Sequence, residues 1–336
     1  MTGLVNLEKS KKEKKMRRKG FTLVELLVVI GIIAVLMGIL LPALNAVRRV
    51  AQRVVCGSNL SGIGKAMMLY ANDHEGDFPK AGGSGIWGTL GKIADWDNQL
   101  GNQYGTADVT ITSSLYLLIK YADVTPAQFV CKGDVGTKEF KLSDCKGVED
   151  AVDDVSDVWD FGDEAAMGTG NFPGNRNSYS YHSPYQNTAL KSSFPLGSYS
   201  NPASPLCADR NPYWDKNAAS YIDGVGGEDP PDWKTTPAPG HYIDPDKTGN
   251  AAAHQRDGQN VLFNDSHVGF EKYPNIGISK DNIWKCWTST TPPATAELRE
   301  LGLSPYTTLK TDGDKAPYSL EEAYLVSESN KSTTGL

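Results

Sequence analysis

The sequence predicts an α+β protein in which a long N-terminal transmembrane-to-periplasmic helix packs on an antiparallel β-sheet with long loop insertions. Three observations predict it. From Leu26 to Leu41 there is no charged or strongly polar side chain. Beyond Pro42, apolar residues recur near helical spacing as far as Tyr70. Near residue 260, two β-rich runs are joined by three turn-forming residues.

Residues 1–20 read as a basic leader. They carry eight Lys/Arg against Glu8 and Glu13, a net of +6, leaving 25 basic and 38 acidic residues in the remainder of a chain whose overall charge is -7. A basic head before an apolar run is expected to keep the N-terminus cytoplasmic and to send the C-terminal body across the bacterial inner membrane. The acidic body should repel phosphate, which excludes nucleic acid as its partner.

Residues 21–44 supply the roughly 20 apolar residues that a membrane span needs. The run exceeds the apolar core of about 7–15 residues in a cleaved secretory signal, and no A-x-A-like site follows it. It therefore reads as a single-pass anchor. Glu25 lies near its start, and an ionised side chain at the centre of a bilayer helix costs roughly 2.5–3.5 kcal/mol on insertion scales. Such a residue calls for a partner and a task.

Residues 45–74 continue the helix amphipathically. Leu44, Val47, Val50 or Ala51, Val54, Leu60, Ile63, Met67 and Tyr70 form one apolar stripe, and Arg48, Arg49, Arg53 and Lys65 a basic back. Pro42 removes a backbone donor and should loosen the helix. Gly57-Ser58-Asn59 and Gly62-x-Gly64 mark a second weak point, with a break expected near 57–64 and the helix end near Ala71–His74.

Residues 75–291 read as a loop-rich antiparallel β domain. Ser113 to Tyr121 predicts a short helix packed on the long one, and Phe129 to Asp134 a strand end running into a turn. Val148 to Glu164 holds eight acids, which invites calcium. The D-x-[DN]-x-[DN]-G pattern is absent, however, and a solvated acidic loop is the simpler reading. Residues 171–250 are dense in Asn, Pro, Gly, Ser, Tyr and Trp, as expected of irregular structure between short strands at Ser178–Tyr181 and Leu206–Asp209. Their aromatics are expected to fill a core that has few aliphatics. Gln259–Phe263 and His267–Glu271 predict a hairpin within 259–273, with Val261, Phe263, Val268 and Phe270 on one face. Residues 292–336 are polar.

The five cysteines show neither CxxC nor a Cys/His zinc spacing. In an exported body a Cys131–Cys145 bridge is the pairing considered, with Cys56 a buried free thiol on the helix. Five separate small hydrophobes is the other reading.

Lys19-Gly20-Phe21-Thr22-Leu23-Val24-Glu25 and the apolar run behind it closely resemble the signal of type IV pilins and type II secretion pseudopilins. The resemblance covers about residues 16–45. It implies cleavage between Gly20 and Phe21 by a prepilin peptidase, N-methylation of Phe21, and assembly with other pilin-like subunits through the helix. Pro42 sits where such proteins often carry a helix-loosening proline. Val55-Cys56-Gly57-Ser58-Asn59-Leu60, Tyr70-Ala71-Asn72-Asp73 and Phe78-Pro79 resemble a group of prepilin-type proteins whose C-terminal signature is histidine, nine residues, then Asp-Gly. Here ten residues separate His254 from Asp265, and Ser266 stands at the glycine. In a filament, Glu25 of one subunit is expected to meet the Phe21 amine of a neighbour, since neither charge is tolerable alone in lipid; the alternative is an acid paired only within its own helix.

Asp265-Ser266-His267, with His254 nearby, is the one cluster that suggests catalysis. It lacks the convergence of a triad, and no G-x-S-x-G, H-E-x-x-H or phosphate loop accompanies it. His254, Asp265 and His267 have the chemistry of metal ligands. Turn capping by Asp265 and strand-edge roles for the histidines are simpler, and a non-enzymatic structural subunit is the expectation. The alternatives are a membrane-anchored protein whose loops hold glycans or calcium, and an anchored hydrolase around residues 254–267.

Overall fold

The computed structural model describes residues 22–81, 110–144, 153–162, 173–187, 192–212, 250–287 and 317–327. The chain divides into two compact units, Met1–Arg48 and Arg49–Leu336. Gly20, Phe21, Cys145 and the flanks of the acidic run lie outside the described residues. Helix α1, Leu23–Asp73, is one 51-residue element that contributes to both units.

In the first unit the described chain is helix preceded by Thr22, and every residue from Thr22 to Arg48 is exposed. Fifteen large apolar side chains from Leu23 to Leu41 are between 46% and 78% exposed. The helix runs through Pro42 without interruption. With no N–H at Pro42, the carbonyl of Gly38 loses its helical partner, which locally weakens the backbone ladder.

In the second unit α1 is buried along Cys56, Leu60, Ile63, Met67 and Tyr70, a 4-3-4-3 spacing that keeps one stripe inward. The expected stripe therefore holds from Leu60 onward, but Val50 and Val54 are 56% and 66% exposed. There the supposed basic back makes the contacts instead. Arg49 Nη1 donates to Gln255 Oε1 at 2.8 Å, and Gln52 donates to the Lys132 carbonyl at 3.2 Å. Arg53 pairs with Asp257 at 2.5 Å and lies 4.5 Å over the Phe270 ring.

No break occurs at 57–64. The glycines there admit neighbouring elements: a Cβ on Gly64 would stand 2.7 Å from Leu262 Cδ1, and one on Gly57 would stand 3.2 Å from Asn260 Oδ1. Packing of the outer helix on the body holds these residues helical despite their low propensity.

Five antiparallel strands form the main sheet in the order β6-β5-β4-β1-β7, with β1 Tyr179–His182, β4 Pro205–Asp209, β5 Gln259–Phe263, β6 Val268–Glu271 and β7 Leu325–Val326. A separate pair joins β2, Gln186–Asn187, to β3, Ser192–Ser193. The hairpin forms with a register that corrects the expected face. Leu262 pairs with Val268 and Asn260 with Phe270, whereas Val261 opposes Gly269. Directly opposed residues share a face, so Val268 and Phe270 lie with Leu262 and Asn260, the side that meets the glycines of α1. Asn264-Asp265-Ser266 sets this register, and Ser266 adopts a left-handed φ of 68°.

Helix α2, Ile111–Tyr121, is capped by Thr110, whose hydroxyl accepts from Ser113 N. Tyr121 approaches Tyr70 and His74 at the end of α1. Phe129 closes a short 3-10 turn, Pro126–Phe129, and is followed by a turn rather than a strand. Pro126 presets that turn by fixing φ. Tyr116, Phe129, Phe140 and Phe161 form an edge-to-face cluster beside α2. Tyr179, Tyr181, Tyr185 and Trp284 are fully or almost fully buried, so aromatic bulk does fill this core.

Candidate functional site

The start of α1 is built by a reciprocal pair. Thr22 N and Oγ1 donate to Glu25 Oε2 at 2.8 and 2.7 Å, and Glu25 N donates to Thr22 Oγ1 at 3.3 Å. This capping box satisfies two of the donors that every helix start leaves open. Both of Thr22's bonds fall on one carboxylate oxygen, and Oε1 has no hydrogen-bond partner among the described residues. The acid that the sequence marks as costly is thus tied to its own helix through one oxygen. Pro42 lies five turns further on. Gly20 and Phe21 are outside the described residues.

Among the described residues, α1 is the single helix long and apolar enough to cross a membrane, and none of its most apolar window is buried. That fits a single-pass membrane anchor. Burying one large aliphatic side chain is worth about 1.5–3 kcal/mol. Fifteen left uncovered in one segment call for an apolar covering, whether lipid or other helices.

The hairpin turn brings Asp265 and His267 together but leaves His254 elsewhere. His267 N and Nδ1 meet Asp265 Oδ1 at 3.0 and 2.5 Å, and both side chains are about half exposed. Those bonds hold the Asp265 carboxyl below its ordinary range. The His267 ring stacks on Phe263 at 4.3 Å. Asp265 is therefore a turn cap. His254 lies before the opposite end of β5, in the 3-10 turn Ala252–His254, and is buried. Five strand residues at about 3.4 Å each separate the two places.

His254 instead meets residues with no local signature. Its Nε2 lies 3.1 Å from Asp209 Oδ2, 3.7 Å from Cys131 Sγ and 3.1 Å from Asn260 Nδ2. Cys131 is bonded to Cys56 on α1. The Cys131–Cys145 pairing is thereby corrected, and Cys56 is not a free thiol. The helix stripe carries Cys56 to the loop after α2, across a separation of 75 residues. Ligand-type atoms of Cys56, Cys131, Asp209 and His254 all lie within 4.8 Å of one another, and all four residues are buried. Four segments spread over some two hundred residues supply them, so spacing alone had no means of finding them.

Of the acidic run, Asp153, Asp154 and Asp157 are exposed, and Asp154 and Asp157 cap a 3-10 turn. Asp160 departs from the expected solvated loop: it is buried and accepts from Thr110 Oγ1 and Phe161 N.

Comparison with protein families matches residues 15–41 to the prokaryotic N-terminal methylation motif, the signal of type IV pilins and pseudopilins. The match includes Gly20, Phe21 and Glu25 and ends one residue before Pro42. No curated protein matches the chain. No solved structure matches it either.

Proposed function

We propose that this chain is a non-enzymatic structural subunit of the pilin or pseudopilin type. A prepilin peptidase cleaves it between Gly20 and Phe21 and methylates the new N-terminus. Residues 21–44 anchor it in the bacterial inner membrane, with the leader cytoplasmic and the Arg49–Leu336 unit extracytoplasmic. Subunits then assemble through α1 into a type II secretion or type IV pilus-like filament.

The observation that carries this reading is the uncovered apolar length of α1 with Glu25 near its start, inside a methylation motif. Lipid covers such a surface in the stored subunit, and neighbouring helices cover it in a filament. The Phe21 ammonium released by cleavage is the natural partner for the carboxylate of an adjacent subunit, because desolvated opposite charges fix register. Glu25 Oε1 is available for that contact while Oε2 remains on Thr22. The Cys56–Cys131 bond supports the orientation, since disulfides form in oxidising, extracytoplasmic compartments.

N-terminal mass spectrometry of the mature protein tests the pathway. A chain that begins with methylated Phe21 is expected, and an intact Met1 on membrane-resident protein would refute the reading.

A further inference from the structure

We propose that Cys56, Cys131, Asp209 and His254 are a redox-gated site for one soft divalent metal ion, with zinc the best match. The disulfide is the closed state of this site and the dithiol its binding state.

Three features of the cluster point to a cation. Its donor set is two sulfurs, an imidazole and a carboxylate, the combination that tetrahedral Zn2+ takes in proteins. Second, His254 Nε2 is over-subscribed. It lies 3.1 Å from both the carboxylate of Asp209 and the amide nitrogen of Asn260. As a donor it satisfies Asp209 but opposes the Asn260 N–H, and as an acceptor it faces another acceptor. A cation between them turns the two facing acceptors, His254 and Asp209, into ligands, while Asn260 Nδ2 keeps its bond to Asp209 Oδ2 at 3.1 Å. Third, Asp209 is wholly buried, and its Oδ1 has no hydrogen-bond partner among the described residues, while Oδ2 is held by Asn260 N and Nδ2 at 2.6 and 3.1 Å. Such a buried orphan oxygen is costly.

The surrounding shell suits the role. Gly133 N donates to Cys131 Sγ at 3.4 Å, the type of bond that steadies a thiolate. A Cβ at Gly133 would stand 2.1 Å from the Ala253 carbonyl oxygen, so glycine is what lets the cysteine loop press against the histidine turn. Zinc-bound sulfurs at about 2.3 Å from the metal lie about 3.8 Å apart, which side-chain rotation achieves once the S–S bond opens.

The chemistry balances with a dithiol reductant. Its two thiols become a disulfide, two electrons and two protons pass to the protein, and the S–S bond gives Cys56 and Cys131 thiols. Metal binding then releases those two protons to solvent and leaves two thiolates on the ion.

The test uses the full chain in detergent micelles, reduced anaerobically with a phosphine and freed of it. Titration with Co2+ should give one ion per chain, with thiolate-to-cobalt charge transfer and tetrahedral ligand-field bands, displaced by Zn2+ one for one. The unreduced chain should give neither. His254→Gln should weaken binding at least about tenfold, since loss of even an outer partner costs that much. X-ray absorption of the zinc-loaded wild-type chain needs no variant and should show two sulfur and two lighter ligands. Absence of a thiolate band after reduction, a band unchanged in His254→Gln, or any other sulfur count overturns the proposal.

Discussion

Thr22 and Glu25 hold each other at the start of α1: the threonine hydroxyl accepts from the glutamate N–H while donating, with its own N–H, to one carboxylate oxygen. The same acid therefore has a local task, capping, and an oxygen left for another. Two substitutions separate these tasks. Glu25→Gln keeps the capping geometry, because glutamine serves in the box as glutamate does, but removes the charge. Glu25→Ala removes both. Both variants should insert and be processed, and both should fail to enter filaments in a sheared-filament preparation. Normal assembly of the glutamine variant would show that charge pairing with the Phe21 amine is not what sets register.

Close approach, not flexibility, accounts for the glycines between α1 and the body. Gly64→Ala should cost about 1–3 kcal/mol by overpacking against Leu262, and Leu262→Val in the same chain should recover part of it. Gly133→Ala should cost more, because its obstruction is the backbone carbonyl of Ala253, which no rotamer change relieves. Thermal unfolding of the three variants ranks them.

Ser266 holds a φ of 68° in the hairpin turn between β5 and β6. A non-glycine residue there carries a penalty of roughly 1 kcal/mol. Ser266→Gly is expected to raise stability by about 0.5–1 kcal/mol in urea denaturation. A loss of stability would mean that the serine side chain contributes more than the backbone strain costs.

His182 is buried with Nε2 3.1 Å from the Glu322 carbonyl, and burial pushes its pKa down from 6.5 to about 4. The unfolded chain then binds the proton first, so the stability tied to neutral His182 is present above about 6.5. It is lost as pH falls toward 4. One proton bound by the unfolded chain alone costs the fold about 1.4 kcal/mol for each pH step of one, so the acid limb should steepen by a few kcal/mol over that window. His182→Gln, which can still donate to the carbonyl, should flatten it in unfolding curves taken between pH 4 and 7.

The Cys56–Cys131 bond closes a loop of 75 residues between α1 and the segment after α2. Opening it in metal-free buffer should cost about 2–5 kcal/mol. The drop in melting temperature on reduction, compared with a Cys56→Ser/Cys131→Ser double variant, measures it. Reduction should leave the double variant unchanged.

Local patterns in the sequence determined what depends on neighbouring residues. The apolar run from Leu26 to Leu41 identifies an anchor because insertion depends on summed transfer energy along one helix. Residues 15–41 carry the N-terminal methylation motif as one contiguous stretch, and the β5–β6 pair follows from turn residues between β-rich runs. Tertiary structure alone decided the rest. Gly57, Gly62 and Gly64 read as helix breakers in isolation, yet they stay helical because the sheet and the Gln128 side chain press against them. Arg53 reads as solvent-facing until Asp257 and Phe270 arrive from some two hundred residues away. The hairpin register that turns Val268 toward Leu262 is a one-residue matter, and alternation by itself does not specify it. Cys56, Cys131, Asp209 and His254 have no shared motif because four separate segments bring them together. Sequence spacing reports on a single helix or strand, whereas a buried cluster exists only once the chain has packed.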